Sequence, residues 1–534
     1  MSAQAVEHLP RVFSTVVHML AEAAARFPER TALTCGPRRL SYALYQRCVG
    51  AFAAELIACG ARGGRVALVC ANSLDVPIAM FGAHAAGAQA VPINPTYTER
   101  ELGYILKDAD PIVVVYDADI AGKVEPLVAA LGIANSVRIG EGARALDAWK
   151  DEPDRRLPEP WPSPDDLATL QYTGGTTGLP KGVNISHRQM AVNISQREAA
   201  LPTRRGDESI LCMMPLFHVF AVAMCLHLSA YCGGQLVIMP RYRPDALLEL
   251  IASEKITRLP AGPTVFIGLL GHEKFAATDF SSLRTAYSGS APLPEETMRQ
   301  WQAQTGTPIL EGFGQTEAGP VLTYVREGAA FKIGSAGPAL PLTTLEIVDT
   351  ETGTNVLGTG EIGEIRARGP QIMSGYRNRP TETAEALRHG YLYTGDIGEL
   401  DADGYLFIRD RKKDMVIVGG YNVYPREVDE VLFTHPAVRE AATTGAPDGY
   451  YGETVRAFVV LNDNARVAAD ELIAHCKKNL APYKVPSQIH LLDALPRTTV
   501  GKIDKLALRE RLAAEAQALS AKQGGQKGGH GLQG

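Results

Sequence analysis

The chain has few of the features that mark a secreted, membrane-spanning or nucleic-acid-binding protein. Its eight cysteines include no Cys-x-x-Cys pair, so neither disulfides nor structural zinc are expected. The formal net charge of -6 comes from interspersed acids and bases, and such a surface disfavours a polynucleotide partner. The first thirty residues contain no long apolar stretch, which predicts that there is no secretory signal and that the protein is cytoplasmic.

Long hydrophobic runs are missing as well. The most apolar segment, residues 217–239, is interrupted by histidines and a Gly-Gly pair and falls short of the roughly 20 uninterrupted apolar residues that a membrane helix needs. We interpret it as a buried helix followed by a strand. No transmembrane segment is therefore predicted, while peripheral membrane contact and a homodimer are left open.

The distribution of hydrophobic residues predicts several folding units. Short apolar runs alternate with helical stretches, which is typical of an α/β fold with helix-covered parallel sheets, and from about Gly363 short strands and turns indicate a small β-rich subdomain. A charged segment then precedes a small α+β unit. The predicted divisions are a large N-terminal domain, a hinge linker, a small mobile C-terminal domain and a disordered glycine-rich tail, at residues 1–410, 411–413, 414–520 and 521–534.

The most informative segment, residues 172–181, has the sequence YTGGTTGLPK. Glycines that allow close backbone approach, hydroxyl donors and one mobile cation are what a triphosphate needs. The segment lacks the Gly-Lys-Ser/Thr triplet of the Walker loop, so a P-loop kinase or ATPase is disfavoured. The predicted phosphate-binding residues are Thr173, Gly174, Gly175, Thr176, Thr177, Gly178 and Lys181.

Six further motifs follow in order: MPLFH at 214–218, SGSAP at 288–292, EGFGQTE at 311–317, YTGD at 393–396, DR at 410–411 and PRTTVGK at 496–502. Together with the phosphate loop they resemble the core motifs of the adenylate-forming superfamily, which includes acyl-CoA synthetases, luciferases and peptide-synthetase adenylation domains. The resemblance covers nearly the whole chain apart from the tail. Six ordered matches are far more specific than any single motif.

The resemblance implies an acid–thiol ligase whose substrates are a small-molecule carboxylic acid, ATP and CoA, with Mg²⁺ as cofactor. Such an enzyme makes an acyl-AMP with release of pyrophosphate and then transfers the acyl group to CoA. Attack of a carboxylate on the α-phosphate brings two anions together. The protein must therefore supply positive charge and oriented donors where negative charge builds up.

The resemblance also implies individual roles. Lys502 would bridge the carboxylate and the α-phosphate, and His218 would be a gate that meets the carboxylate; Thr316 and Glu317 complete the catalytic set. Glu317 and Thr173 are the predicted Mg²⁺ ligands, because this ion usually takes one or two carboxylates plus substrate phosphates. The plainer alternatives are a surface lysine in a turn, a packing histidine and a helix-capping glutamate.

The nucleoside part of ATP has its own predicted contacts. Asp396 would accept hydrogen bonds from the ribose hydroxyls, with Arg411 assisting; a turn-forming aspartate is the plain alternative. Glycines would let the backbone approach the adenine, and Phe313 would offer it a flat face. The predicted residues around the adenine are Gly289, Ser290, Ala291, Glu311, Gly312 and Phe313.

The second half-reaction is predicted to use a rotation of the small domain about Lys413. The surface that would move in carries Gly419, Gly420 and Tyr421, where glycines would let the pantetheine arm of CoA pass close to the backbone. A solvated linker is the plain alternative for the charged segment, and it is compatible with a hinge.

The acid is less tightly specified. No aspartate stands beside His218 to pair with an α-amine, which disfavours amino acids, and apolar residues suit an alkyl or aryl chain. Residues 410–425 are most similar to bacterial medium- and long-chain fatty acyl-CoA synthetases, so a fatty acid is the first choice and a coumarate-like aryl acid the second. The predicted acyl pocket is Val219, Phe220, Val222, Gly262, Gly314, Ala318 and Gly319.

Two other functions are open. A fatty acyl-AMP ligase would load a carrier protein, but its usual extra segment is not evident between Thr343 and Tyr376, which favours CoA. A binding protein that kept only the fold is disfavoured because Lys502, Glu317 and Asp396 are all present.

Overall fold

A computed structural model describes residues 9–151, 155–173, 180–289, 293–326, 328–330, 332–463, 465–498 and 501–515. Several predicted site residues lie outside the described residues: Gly174, Gly175, Thr176, Thr177, Gly178, Ser290 and Ala291. The predicted tail also lies outside them.

Two mainly parallel sheets form the large N-terminal part. In the first, the antiparallel pairs are confined to one edge, which carries the two strands that flank the phosphate loop. The strands in spatial order are Gly375–Tyr376, Lys181–Ser186, Leu167–Thr173, Gln89–Ile93, Arg65–Val69, Val113–Asp117 and Asn135–Ile139.

The second sheet has an antiparallel strand at each edge. Its strands in spatial order are Val321–Tyr324, Ile309–Gly314, Thr285–Ser288, Arg258–Ala261, Ser209–Cys212, Gln235–Ile238, Thr31–Cys35 and Arg38–Ser41.

Helices cover these sheets, as the alternating pattern predicts. Helix Asp75–Ala85 is buried on every face and belongs to a hydrophobic core that contains residues of both sheets. The other helices are amphipathic or partly buried, and the structure places them at Val16–Arg26, Tyr42–Ala58, Glu99–Ala109, Ala121–Ala130, His187–Ala200, Leu228–Cys232, Pro244–Ser253, Pro263–Leu270, Glu295–Thr305, Pro380–Ala386, Pro425–Phe433, Ala469–Asn479 and residues 505–515.

The apolar segment 217–239 forms a helix followed by a strand, as predicted. The helix is continuous but changes its winding, from Val219–Ala221 through a π-helical stretch at Val222–His227 to Leu228–Cys232. π-Helical stretches occur frequently at functional sites. In the part of the chain that the structure describes, no helix has the length and apolar character needed to cross a membrane.

A third, antiparallel sheet adjoins the large part. It contains Thr344–Val348, Gly363–Arg368, Tyr391–Leu400, Leu387–Arg388 and Leu406–Arg411, so it begins before the change of pattern near Gly363. The fourth sheet, near the C-terminus, contains Tyr421–Val423, Val416–Val418, Gly452–Leu461, Val438–Asp448 and Gln488–Leu491. It has its own hydrophobic core with helices Pro425–Phe433 and Ala469–Asn479. The predicted α/β architecture with a small C-terminal α+β unit is confirmed.

Candidate active site

The phosphate loop connects two antiparallel strands. Thr173 ends one strand and Lys181 begins the next, and the two residues face each other in the ladder. The hydroxyl of Thr173 donates to the carbonyl oxygen of Lys181 at 3.4 Å. The segment after the loop is the strand Lys181–Ser186 and not a helix, so the helix N-terminus of a Walker loop does not follow it.

Tyr376 links the phosphate loop to Glu317. Its hydroxyl donates to Oε1 of Glu317 at 2.8 Å, and the ammonium of Lys181 lies over its ring, 4.6 Å from Nζ to the centroid. Burial and the Glu317 charge both raise the pKa of Tyr376, so the phenol stays protonated and keeps donating. No local pattern in the sequence marks Tyr376, because its role depends on strand Gly375–Tyr376 pairing beside the loop.

The arrangement suits a cation that is held largely by the substrate. Glu317 lies in the short 3-10 turn Thr316–Ala318, directly after strand Ile309–Gly314. The described residues contain no cluster of three or more His, Cys, Asp or Glu that could hold a metal ion by itself. One carboxylate, one hydroxyl and the oxygens of a phosphate chain are a donor set that Mg²⁺ accepts, so Glu317 and Thr173 are the residues that would hold it.

Asp396 is buried with one oxygen paired and the other without a partner. Its Oδ1 is 2.8 Å from Nε of Arg411, which faces it on the neighbouring strand. Oδ2 is buried and has no hydrogen-bond partner in the described residues. Burial raises the pKa of Asp396 to about 6, while Arg411 and Lys502 oppose that rise. A buried acceptor without a donor is suited to a hydroxyl-bearing ligand such as a ribose.

Lys502, from the C-terminal unit, lies near Asp396 and Arg411. It lies on a tight turn in which Gly501 has a φ of +81°. Within that turn, Thr498 N donates to the carbonyl of Lys502 at 2.8 Å and Lys502 N donates to the hydroxyl of Thr498 at 3.2 Å. Burial lowers the pKa of Lys502 to about 8; the charge of Arg411 lowers it further and that of Asp396 opposes this. The turn thus holds a desolvated ammonium next to the Asp396–Arg411 pair.

His218 lies near Lys502. Burial lowers the pKa of His218 to about 3, and the charge of Lys502 contributes to the shift. The ring is therefore neutral at pH 7. Its Nδ1 accepts from the backbone N–H of Phe220 at 3.3 Å, which caps the helix that follows. Since Nδ1 accepts, Nε2 carries the proton and is available to donate to a substrate oxygen.

The residues predicted around the adenine have packing roles in the structure. A Cβ at Gly289 would lie 2.7 Å from the ring of Phe220, and one at Gly312 would lie 2.6 Å from the ring of Tyr324. Glu311 accepts from the backbone N–H of Leu293 at 3.3 Å, and burial raises its pKa to about 7. Phe313 is buried in the main core. The contacts of these residues with a nucleotide stay predictions.

An apolar cleft that opens to solvent runs beside the helix that starts after His218. Of the predicted acyl-pocket residues, Val219, Val222 and Gly319 line it. Phe220, Gly262, Gly314 and Ala318 do not; Gly314 is instead required because a Cβ there would lie 1.9 Å from the carbonyl oxygen of Pro320. The other lining residues are Thr169, Gln171, Ile185, Met190, Ile194, Arg197, Ala223, His227 and Pro320.

Sequence reasoning missed the contribution of helix His187–Ala200 to this cleft. The signal was present, because Ser186 and Gln189 form a capping box and residues 190, 194 and 197 recur at helical spacing along one face. All three line the cleft.

The predicted CoA-binding residues lie at the surface. Gly419 and Gly420 form the turn between strands Val416–Val418 and Tyr421–Val423, and both have positive φ angles of 57° and 88°. Tyr421 is 61% exposed and stacks on Tyr483 with ring centroids 4.8 Å apart. Lys413 lies in an exposed turn between strands Leu406–Arg411 and Val416–Val418.

A buried carboxylate paired with an arginine, together with a desolvated lysine from a separate small unit, is the arrangement that the sequence predicts for an enzyme that activates carboxylates with a nucleotide. Family models extend this assignment along the chain: residues 20–377 match that of the AMP-binding enzyme and residues 427–502 that of the AMP-binding enzyme C-terminal domain. The chain belongs to the AMP-binding enzyme family. The predicted superfamily and the predicted class, an AMP-forming acid–thiol ligase that uses ATP and CoA, are confirmed.

Curated relatives and solved structures agree with this placement. A long-chain-fatty-acid–CoA ligase of Bacillus subtilis is 37% identical over 95% of both chains, and a feruloyl-CoA synthase of Amycolatopsis is 36% identical over 91% of this chain and 96% of its own. The anthranilate CoA ligase AuaEII in complex with anthranoyl-AMP has a TM-score of 0.88 at 28% identity, covering 95% of this chain and 99% of its own.

Two solved structures of MatB from Rhodopseudomonas palustris, one ATP-bound and one apo, are similar to this chain. The ATP-bound structure has a TM-score of 0.86 and the apo structure 0.78, each at 31% identity and covering 93% of this chain and 98% of its own. The fold described here is thus more similar to the ATP-bound state than to the apo state of that protein.

Proposed function

We propose that this enzyme converts a medium- or long-chain fatty acid, ATP and CoA into acyl-CoA, AMP and pyrophosphate, and that Lys502 supplies the charge for the first step. One observation carries the assignment of residues. The ammonium of Lys502 lies close enough to both His218 and Asp396 for its charge to lower the pKa of each, and Arg411 acts on Lys502 in turn.

In the first step a carboxylate oxygen attacks the α-phosphorus of ATP, a C–O–P bond forms and the bond to the pyrophosphate oxygen breaks. The ammonium of Lys502 neutralises the approaching anions and the charge that builds up on the α-phosphate. The Nε2–H of neutral His218 orients the attacking carboxylate. Asp396 accepts from the ribose with its free Oδ2, which fixes the phosphate relative to Lys502.

The pKa of Lys502 fits this task. A value of about 8 leaves the ammonium largely charged at neutral pH, and the binding of two anions beside it favours the charged form further. The ammonium of Lys502 is therefore desolvated, which strengthens its attraction for the two anions, and it still carries its charge.

Mg²⁺ is the proposed cofactor, held by Glu317 and Thr173 together with the phosphates. When bound, it would neutralise phosphate charge. The hydroxyl of Tyr376 keeps the carboxylate of Glu317 oriented through the bond at 2.8 Å.

In the second step the CoA sulfur attacks the acyl carbon and AMP leaves. Lys502 would obstruct this approach, so we propose that the small domain, residues 414–520, rotates about Lys413 and brings Gly419, Gly420 and Tyr421 over the acyl-adenylate. Their positive φ angles and exposure support a surface that another molecule can approach closely.

A fatty acid is supported by the apolar cleft and by the names of relatives such as the Bacillus subtilis enzyme. An aryl acid is the second candidate, because feruloyl-CoA synthase is almost equally similar. A homodimer, peripheral membrane contact and the cytoplasmic location stay predictions.

The test is an assay of pyrophosphate release and thioester formation with ATP, CoA and a panel from acetate through long alkyl acids to aryl acids. We expect AMP and acyl-CoA in equal amounts, with the highest kcat/KM among the alkyl acids. AMP without thioester in the presence of CoA would favour transfer to a carrier protein. Binding of Mg-ATP without AMP from any acid would contradict the proposed function.

A further inference from the structure

A buried guanidinium that forms no ion pair within the described part of the chain lines the acyl cleft. Arg197, near the end of helix His187–Ala200, is 4% exposed. Its Nη1 donates to the carbonyl oxygen of Ala223 at 3.1 Å, and its Nε to that of Asn193 at 3.4 Å. Its Nη2 is buried and has no partner in the described residues. Burial lowers its pKa only to about 10, so the side chain remains charged at pH 7.

The absence of a carboxylate partner distinguishes Arg197 from its neighbours. Arg258 is also buried, but its Nε lies 3.2 Å from Oε1 of Glu208. The adjacent Glu198 directs Oε1 to the backbone N–H and hydroxyl of Thr203, at 2.9 and 2.8 Å. Burying an unpaired charge is costly unless something compensates it. A ligand that carries the missing acceptor would do so.

A second cavity on the other side of Arg197 contains further polar groups. It is lined by Arg197, Leu201, Met224, Leu228, Arg258, Tyr287 and Tyr324. The hydroxyl of Tyr324 is buried without a partner in the described residues, whereas that of Tyr287 donates to the carbonyl oxygen of Met224 at 3.3 Å. Two unsatisfied donors, Nη2 of Arg197 and the hydroxyl of Tyr324, therefore belong to one cavity.

Arg197 is placed to meet the distal end of a substrate. The cleft follows the helix that starts after His218, where the reacting carboxylate is expected, and Val219 and Val222 line it. Arg197 contacts the carbonyl oxygen of Ala223, five residues beyond His218. At 1.5 Å per residue this is roughly 7.5 Å along the helix axis, the span of a short chain or of one aromatic ring.

We propose that Arg197 and Tyr324 form a distal site, which donates hydrogen bonds to the far end of the substrate. This site selects acids that carry an oxygen at the end remote from the reacting carboxylate. A second carboxylate satisfies the guanidinium best, and a hydroxyl less well. This inference rests on the proposed function and narrows its substrate class, since a plain alkyl or aryl acid would leave both donors unpaired. A site built to bind a substrate oxygen discriminates strongly against an analogue that lacks it.

The experiment compares acids of equal length. Pyrophosphate release is measured with monocarboxylic, ω-hydroxy and α,ω-dicarboxylic acids of six to ten carbons, and with cinnamic, 4-hydroxycinnamic and 4-carboxycinnamic acids. At the best length or in the aryl series, we expect kcat/KM to be at least about tenfold higher for an acid with the distal oxygen than for its unsubstituted partner. If kcat/KM for the acids with the distal oxygen is no higher than that for their unsubstituted partners in any set, the distal site is contradicted.

Variants test whether Arg197 causes the preference. Arg197→Met should bring the ratio of kcat/KM values close to one, and Tyr324→Phe should lower it severalfold. Arg205→Met is the matched control, because Arg205 lies in the loop after the same helix and pairs with Glu22 at 3.5 Å; its ratio should equal that of the wild type. If Arg197 only braces the helix, Arg197→Met will lower kcat/KM equally for all acids, and the proposal fails.

The outcomes keep the two proposals apart. If no acid in the panel releases pyrophosphate, the proposed function itself is wrong. If the acids react but distal oxygens make no difference, the proposed function stands and the distal site does not. If Arg197→Met fails to fold, two measurements still test the distal site. They are the ratio of kcat/KM values with and without the distal oxygen in the wild type, and the same ratio in Tyr324→Phe, which removes a single oxygen atom.

Discussion

The C-terminal unit presents two glycine-containing turns that differ in their surroundings. The turn with Gly501 and Lys502 places a desolvated ammonium beside Asp396 and Arg411. The turn with Gly419 and Gly420 lies at the surface next to the exposed ring of Tyr421. Only one of the two turns engages the site, which is what an enzyme that uses one surface for each half-reaction requires.

The difference indicates which half-reaction the structure represents. We propose that it represents the adenylation state, because Lys502 is desolvated beside Asp396, whose Oδ2 has no partner among the described residues. The greater similarity to ATP-bound than to apo MatB supports this proposal. The exposed turn is then the element proposed to act in the second step.

The largest expected effect is that of Lys502→Ala. Removal of the charge that joins two anions should reduce pyrophosphate release from ATP and acid by about 100- to 1,000-fold, as the loss of one transition-state donor does. Synthetic acyl-adenylate plus CoA should still give thioester, because that step does not use this lysine. Lys478→Ala, on the last turn of helix Ala469–Asn479, is the control. Equal damage to both half-reactions would contradict the division between the two surfaces.

Lys413→Pro should affect the steps in the opposite sense. Proline fixes φ and restricts the residue before it, so the turn at residues 412–414 can no longer change conformation freely. We expect thioester formation from supplied acyl-adenylate to fall about tenfold or more while pyrophosphate release falls much less. Lys413→Ala separates stiffness from the loss of charge and should behave like the wild type. Normal CoA turnover by the proline variant would exclude Lys413 as the hinge.

A smaller effect is expected for Gly420→Ala. A Cβ at this position meets no atom within 4 Å, so the folded structure has room for it and only the φ of 88° is strained. We expect the KM for CoA to rise by about fivefold, because a methyl group would narrow the backbone approach, with pyrophosphate release retained. Gly404→Ala provides a comparison, since Gly404 also has positive φ and open surroundings but lies outside the predicted CoA surface. Similar KM values in both variants would mean that CoA does not pass Gly420.

Much of the fold follows from the sequence because local patterns and burial agree. Ser41 caps helix Tyr42–Ala58 by accepting from Leu44 N, as a serine before apolar residues at helical spacing favours. The buried strand Arg65–Val69 follows from its continuous apolar run. Motifs identified Asp396, Arg411, His218 and Lys502, which lie close enough in the structure to influence one another's charge. Motif recognition works here because the chemistry restricts which residue types can occupy those positions.

The residues that escaped prediction depend on contacts between distant segments. Tyr376 meets Glu317 only because a two-residue strand pairs beside the phosphate loop. Arg197 stands out because it lines the cleft and forms no ion pair with a carboxylate among the described residues. Gly314 was assigned to the acyl pocket, yet the carbonyl oxygen of Pro320 explains why it must be glycine. Such relations arise in tertiary packing and leave no local pattern.

The pH dependence should separate the two surfaces by the smallest factor. With a lowered pKa of about 8, Lys502 is charged below that pH, so kcat/KM for pyrophosphate release should be about half its maximum near pH 8. On the acid side it should fall below about pH 6, where the raised pKa of Asp396 leads to loss of its charge. His218, with a pKa of about 3, stays neutral throughout and adds no limb. Thioester formation from supplied acyl-adenylate does not need a charged Lys502, so its rate should not fall near pH 8. Stopped-flow pH profiles of the two half-reactions test this. If both rates decline together above pH 8, the lysine serves both half-reactions.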